Sequence, residues 1–383
     1  MDIKSSTSGK VIKTTTGYSY FEPNKLPPKI EWNNQLINAL SRADYIMGKL
    51  SREASKLASP QLLLRTFVTR EAVLSSKIEG TQVTINEMLV DEAGGSVRRS
   101  ADELQEVKNY IVALDYGIKR LNELPLSLRL IREIHEKLMY GVRGKHALPG
   151  EFRSSQNWIG TAGSTIMTSK YVPPAPEVLL STLGEFELFL HDKQLPALIH
   201  IALCHYQFEA IHPFLDGNGR LGRLLITLLL IERNILPSPL LYLSAFFEAT
   251  KNDYYRHLYN VSADGQWNDW LMYFLNGIAV QSADTLSRAE RINNLICEWQ
   301  ILVGSSLSKL PLDIVKILAI NPLITINNIA QQFTVAFTTA QRAIKKLEDL
   351  GIITQVKENK RDRMYCASKI LSILEEEANL TTD

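Results

Sequence analysis

Residues 212–223 read His-Pro-Phe-Leu-Asp-Gly-Asn-Gly-Arg-Leu-Gly-Arg, and the apolar run Leu224–Ile231 follows at once. An apolar run of that length behind a glycine turn predicts a buried helix. A Gly-Asn-Gly turn at its mouth leaves first-turn N–H groups without intrahelical acceptors, which makes an anion site. Arg220 and Arg223 add planar, forked donors suited to phosphate oxygens. Asp216 would repel a bare phosphate, so its presence implies a bridging cation, with Mg²⁺ the natural choice for a carboxylate beside phosphates. His212 stands at the far end of the turn and can accept a proton. The stretch therefore reads as a site for chemistry on a nucleoside polyphosphate.

Working outward, helical periodicity recurs on both sides of this turn. Upstream it predicts two or three helices between Trp32 and Leu89, one running through Leu62, Leu63, Phe67, Val73 and Leu74 to a stop near Gly80. Further helices are predicted at about 101–122, 127–140, 177–191 and 197–210, and downstream at 220–233 and from 251 to about 300. Residues 1 to about 28 are polar and read as an arm laid over the body. Gly141–Pro176 is rich in Gly and Pro, and its β-prone pieces near Trp158-Ile159 and Thr165-Ile166-Met167 predict a β-hairpin flap. Near Pro311 the pattern changes to three short helices (312–319, 326–333, 337–349), then β-prone Ile352–Val356, a basic tip at Lys357–Arg363, and Met364–Cys366. That is the layout of a winged helix, set off by the linker Gly304-Ser305-Ser306. The expected organisation is a mainly α chain in three parts: an N-terminal helical region 1–110, a core 111–300 and a winged-helix domain 311–383.

Composition narrows the class. Across 383 residues, 42 Lys/Arg against 41 Asp/Glu leave a formal charge of +1, with no global pull toward nucleic acid or an anionic membrane. The cysteines, Cys204, Cys297 and Cys366, are far apart and lack ligand spacing, which suits a reducing cytosol. The first thirty residues lack an apolar core, so no signal peptide is expected, and no apolar run reaches spanning length. These features predict a soluble, cytoplasmic protein.

The twelve-residue segment resembles the signature of Fic-domain proteins, the Fido fold. His212, Pro213, Phe214, Asp216, Gly217, Asn218, Gly219, Arg220 and Arg223 stand where the HPFx(D/E)GNGRxxR pattern asks. Gly150–Arg153, Trp158–Gly160 and Val172–Pro174 resemble the family's upstream flap region, so the likeness runs over about residues 30 to 300. It implies a protein adenylyltransferase that moves AMP from ATP onto a Ser, Thr or Tyr hydroxyl of a target protein. His212 is then the catalytic base and Asp216 the Mg²⁺ ligand. Gly217, Asn218, Gly219, Arg220, Leu221, Gly222 and Arg223 form the ATP-phosphate stretch, with Arg220 and Arg223 gripping the β and γ groups. The family's phosphotransferase branch carries lysine at the position of Gly219, so glycine argues for nucleotidyl transfer. Tyr255 resembles a tyrosine that lines the nucleoside pocket, while an asparagine used by some relatives falls on Ser262. The target would dock on the 158–167 flap by edge-strand pairing, and relatives of this kind often form homodimers.

Ser75-Ser76-Lys77-Ile78-Glu79-Gly80 resembles the family's inhibitory motif, (S/T)xxxE(G/N). Ser75 and Glu79 are four apart and share one helical face. A carboxylate at Arg223 would occupy the fork meant for the γ-phosphate. In some relatives the same glutamate supports removal of AMP.

Plainer readings compete at several positions. His205, Glu209 and His212 have metal-ligand spacing on a helix, against which Pro213 ends the helix at His212. His200 and His205 otherwise read as satisfied core residues, Trp267 and Trp270 as core aromatics, and Glu79 as a helix-terminal carboxylate. In the tail, residues 337–366 hold seven Lys/Arg against four Asp/Glu, a net of +3. Thr338, Thr339, Gln341, Arg342 and Lys345 would line the third helix, with Lys357, Lys360, Arg361 and Arg363 in the ribbon. That suits DNA phosphates or a protein contact equally. Two other functions stay open: a DNA-binding regulator whose helical body senses a nucleotide, and transfer of another nucleotide or phosphate-bearing group to protein.

Overall fold

The computed structural model describes residues 3–54, 60–95, 97–142, 148–161, 163–304, 309–356, 363–377 and 380, and leaves aside the side chains of residues 54 and 60–63. Gly144, Ser305, Ser306, Lys357, Lys360 and Arg361, with the side chains of Leu62 and Leu63, lie outside the described residues.

The polar arm is structured. Strands β1 (Gly9–Lys13) and β2 (Ser19–Pro23) pair antiparallel, Val11 opposite Phe21, around a turn closed by Gly17 at φ 94°. Phe21 is fully buried, and its N–H donates to Val172 O at 2.8 Å. Buried Phe21 and Tyr20 thus hold the segment as an arm laid over the body, with strands of its own.

The helical body follows the apolar periodicity. Its helices are α1 (Asn34–Ala54), α2 (Pro60–Ile78), α3 (Ile85–Glu92), α4 (Ala101–Arg120), α5 (Leu128–Leu138) and α6 (Pro176–Leu190). After them come α7 (Ala197–Ile211), α8 (Asn218–Glu232), α9 (Ser244–Ala249), α10 (Lys251–Asp264) and α11 (Trp267–Val303). The α4 backbone is continuous through residue 110, where composition suggested a boundary. The run expected from 251 to 300 is broken, because Gly265 adopts φ 70° and ends α10 before α11 begins. Helix α11 spans 37 residues and packs along α1.

Helices α7 and α8 lie at the centre, buried nearly all round, as expected of helices apolar on every face. Leu221, Leu224, Leu228 and Leu230 have no exposed surface, and burial of each contributes about 1.5–3 kcal/mol. The turn between these two helices is residues 212–217, so the signature is held between rigid walls.

The flap departs from expectation. Ile159 pairs with Tyr171 in an isolated antiparallel bridge, and residues 166–168 form a turn. Thr165 and Thr168 explain this: the Thr168 hydroxyl accepts from Thr165 N–H (2.9 Å), so side-chain oxygens capture the backbone that a strand would need.

The tail contains α12 (Leu310–Leu318), β3 (Leu323–Thr325), α13 (Ile326–Gln332), α14 (Phe337–Asp349), β4 (Thr354–Gln355), β5 (Met364–Cys366) and α15 (Ser368–Glu375). Its three strands form an antiparallel sheet in the order β3-β5-β4. Among the described residues no helix is long and apolar enough to cross a membrane.

Candidate active site

Helix α7 ends because Pro213 cannot continue it, and His212 takes the left-handed conformation at φ 48°, ψ 61°. His212 is held at both ends. Its N–H donates to Phe208 O at 3.0 Å, and its Nδ1 lies 3.3 Å from Glu209 O. A carbonyl can only accept, so Nδ1 carries the hydrogen and Nε2 is left as the basic nitrogen. Burial first, then the Arg153 guanidinium, lowers the imidazole to about 4. The ring is thus neutral at pH 7.

The loop is braced by residues that the signature does not contain. Arg153 is 2% exposed; its Nε donates to His212 O at 2.9 Å and a terminal nitrogen to Pro174 O at 2.6 Å. Its own N–H donates to Pro213 O at 2.9 Å. Asn157 Nδ2 donates to Phe214 O at 2.9 Å. His135 Nδ1 accepts from Gly150 N–H at 2.9 Å, so its Nε2–H donates to Asp216 O at 3.0 Å. The same ring stacks on Phe214 with centroids 3.7 Å apart. Only the neutral imidazole can make both bonds, and burial lowers it to about 4. Sequence reasoning missed Asn157 and His135, and saw Arg153 only as part of the flap. The available clue was that a left-handed turn with exposed carbonyls needs donors.

The turn closes on itself through Asn218. Its Oδ1 accepts from Phe214 N–H (2.9 Å) and its Nδ2 donates to Phe214 O (2.8 Å). Gly217, the N-cap of α8, sits at φ 77°, where a methyl group would lie 2.7 Å from Met139 Sδ. Asp216 Oδ1 accepts from Gly217 N–H at 2.6 Å, and the Asp216 side chain remains 38% exposed. That half-open carboxylate is a hard oxygen donor fit for Mg²⁺. Among the described residues no group of three or more His, Cys, Asp or Glu gathers around it.

The two arginines do different things. Arg223 has a 1% exposed side chain and points at α2: Nε donates to Ser75 Oγ (2.9 Å), and a terminal nitrogen donates to Ser75 O (2.8 Å) and Glu79 Oε1 (2.8 Å). Burial alone would raise the Glu79 carboxyl, but Arg223 outweighs it and the carboxyl is lowered, hence ionised. Lys251 Nζ donates to Ile78 O at 2.6 Å and fixes the end of the same helix. Gly219 makes the approach possible, since a methyl there would sit 2.2 Å from Glu79 Oε1.

Arg220 instead turns inward, donating to Glu106 Oε2 at 3.1 Å, with Asp216 Oδ1 at 3.7 Å. Both Arg220 and Glu106 side chains are 2% exposed. The structure therefore makes Arg220 a brace of the turn rather than an open phosphate grip. Leu221 is buried in the core, and Gly222 packs against Glu209 and Phe208, so neither offers a side chain to a ligand. Tyr255 is 42% exposed beside Tyr254 (centroids 5.3 Å) and feels the charges of Glu79 and Arg223. Ser262 is buried and bonds Tyr206, not the cleft.

The spacing of His205, Glu209 and His212 does not gather a ligand set. His205 is tied to Gly222 O (3.1 Å) and Tyr254 OH (2.8 Å), inside the core. Glu209 is pushed up to about 7, by burial against the pull of Arg223 and with the push of Glu79. His200 is bonded to Phe189 O at 2.8 Å, and Trp267 and Trp270 are core residues.

One prediction follows from the brace. Arg153→Gln is expected to move the His212 midpoint upward from about 4, because the cation that disfavours imidazolium is gone. NMR titration of the ring would read it, and an unmoved midpoint would refute the assignment.

Comparison with known proteins places the site-bearing turn within a matched family region. Residues 37–119 match the Fic/DOC family N-terminal description (Fic_N), and residues 125–230 match the Fic/DOC family (Fic). Protein adenylyltransferase Fic of Drosophila grimshawi is 33% identical over 143 residues, 36% of this chain and 27% of that protein. The protein of the same name in Nematostella vectensis is 31% identical over 195 residues, 48% of this chain and 41% of that one. The chain thus spans well under half the length of these curated relatives. In fold, it is similar to a Fic family protein from Desulfovibrio desulfuricans G20, with TM-score 0.61, 20% identity, and 89% and 98% of the two chains covered. Fic-1 from C. elegans (residues 134–508 of that protein) gives TM-score 0.50 at 19% identity, covering 67% and 73%.

Proposed function

This chain belongs to the Fic family over residues 37–230, and on that footing we propose that it is a protein adenylyltransferase held in check by Glu79. The reading rests on one observation above all: His212 is pinned through Nδ1 to Glu209 O, so a basic Nε2 stands at the mouth of α8. In the reaction a Ser, Thr or Tyr hydroxyl of the target loses its proton to Nε2 as its oxygen attacks the α-phosphorus of ATP. The bond from that phosphorus to the bridging oxygen breaks, and pyrophosphate leaves with the electron pair. First-turn N–H groups of α8 face the phosphates. Asp216 would hold Mg²⁺, which when bound neutralises charge on the pyrophosphate.

Arg223 is the phosphate fork, and Glu79 competes for it. The exposed Trp158, Ile159 and Met167 suit an extended segment of a target protein at the flap. Helices α12–α14 with the β3-β5-β4 sheet support reading the tail as a winged helix. Its α14 exposes Gln341 and Arg342, but Lys345 is already paired with Glu348 (3.1 Å) and Asp349 (2.9 Å), which favours a protein contact over DNA phosphates.

The test uses Glu79→Gly protein with α-labelled and γ-labelled ATP. Auto-labelling is expected from the α position alone, faster than in the parent chain. Label retained from γ would mean phosphotransfer; no label from either would point to a nucleotide sensor.

A further inference from the structure

Helix α2, which carries Ser75 and leads into Glu79, is gripped near its middle by the tail. Arg70 is 7% exposed; its Nε donates to Leu374 O at 3.1 Å and a terminal nitrogen to Glu376 O at 3.4 Å. Arg288 on α11, 2% exposed, donates to Ile373 O, to Glu376 O (3.1 Å) and to Glu377 O (3.0 Å). The carbonyls of Ile373 and Leu374 in the last turn of α15, and those of Glu376 and Glu377 just beyond it, are thus capped by two buried guanidinium groups from two other helices. Arg291 adds an exposed fork on Glu376, both contacts at 2.6 Å. Further up α2, Thr66 Oγ1 donates to Ala319 O at 3.4 Å, and Asn328 Nδ2 of α13 donates to Ala93 O at the end of α3 at 3.2 Å.

The electrostatics make this contact a two-way dependence. Arg70 and Arg288 share one buried carboxylate, Asp284, at 3.9 Å and 2.8 Å. Burial and then the neighbouring Arg288 charge already lower Arg70 to about 10. If α15 leaves, two buried cations keep one anion and lose four carbonyls, so Arg70 must move toward water. From Arg70 to Ile78, the last residue of α2, is about 12 Å of helix, with Glu79 next in the chain, and a helix transmits such a shift as a unit.

We propose that docking of the tail through α15 holds α2 in its inhibitory seat, so that lifting the tail releases Glu79 from Arg223. The proposal rests on the reading of Glu79 as a brake and adds its control. The ligand that lifts the tail would be whatever engages the winged-helix-like module; the coupling itself needs only the Arg70 and Arg288 caps.

The experiment uses the full chain with Arg70→Met and, because that site is buried, the surface variant Glu376→Lys, which sets a cation against Arg288 and Arg291. Hydrogen exchange at amides 75–80 and auto-labelling from α-labelled ATP are read together. Both variants are expected to lose protection there and to label roughly fivefold faster or more, with nothing added when combined with Glu79→Gly. Unchanged protection in folded Arg70→Met and Glu376→Lys proteins overturns the coupling. Lost protection, with Glu79→Gly itself no faster than the parent, would leave the mechanical link standing and remove the brake instead.

Discussion

His212→Ala, in the Glu79→Gly background, is expected to lower AMP transfer about 10²- to 10⁴-fold. The loss should fall on kcat, because the imidazole takes the proton as the P–O bond forms and contributes little to holding ATP. Retention of activity within about tenfold of the Glu79→Gly protein would defeat the assignment. The pH profile gives a second, independent handle. The active form is neutral imidazole, and the folded-state value is about 4 rather than the usual 6.5. Activity limited by this ring should therefore stay level as pH falls from 8 to about 5 and decline only on approach to 4. Removing the Glu79 charge, which raises the ring, lowers the midpoint further and leaves that prediction unchanged in sign. A fall centred near 6.5 in kcat/KM would show that the ring is solvated and that the Arg153 brace does not act on it.

Arg220→Met is expected to cost about 3–5 kcal/mol of stability, read from the midpoint of denaturant unfolding. Glu106 loses its guanidinium partner in a site where both side chains are 2% exposed, with the Thr81 hydroxyl still donating to it at 3.2 Å. Pairing the change with Glu106→Gln should restore part of the loss, since the buried Arg220–Glu106 pair is then removed from both sides. A loss under about 1 kcal/mol would mean that Arg220 is free to turn toward phosphate, as the signature first suggested. The two outcomes separate a brace from a grip.

Much of this site could be read from residue order. A proline after His212, glycines at 217 and 219, and an apolar run behind them dictate a helix stop, a left-handed turn and a buried helix start, all through local sterics. The helices were legible for the same reason: their apolar spacing repeats within a few residues. The arm was expected over the body, but its strand pairing was not, because buried Phe21 against Val172 fixes it and no periodicity announces that pairing. The flap was misplaced because β-prone residues near 165–167 are outcompeted by threonine hydroxyls.

What chain order dictated, then, is the chemistry available: an imidazole, a carboxylate, a glycine-lined helix mouth and two guanidinium groups within twelve residues. What only packing decided is where those groups are aimed. Arg223 meets Glu79 across 144 residues, while Arg220 meets Glu106 across 114. Two arginines three apart on one helix point to different partners because the walls beside them differ. Local backbone preference acts over a turn or two, whereas the direction of a buried charge is set by whichever opposite charge the rest of the fold brings within hydrogen-bonding reach.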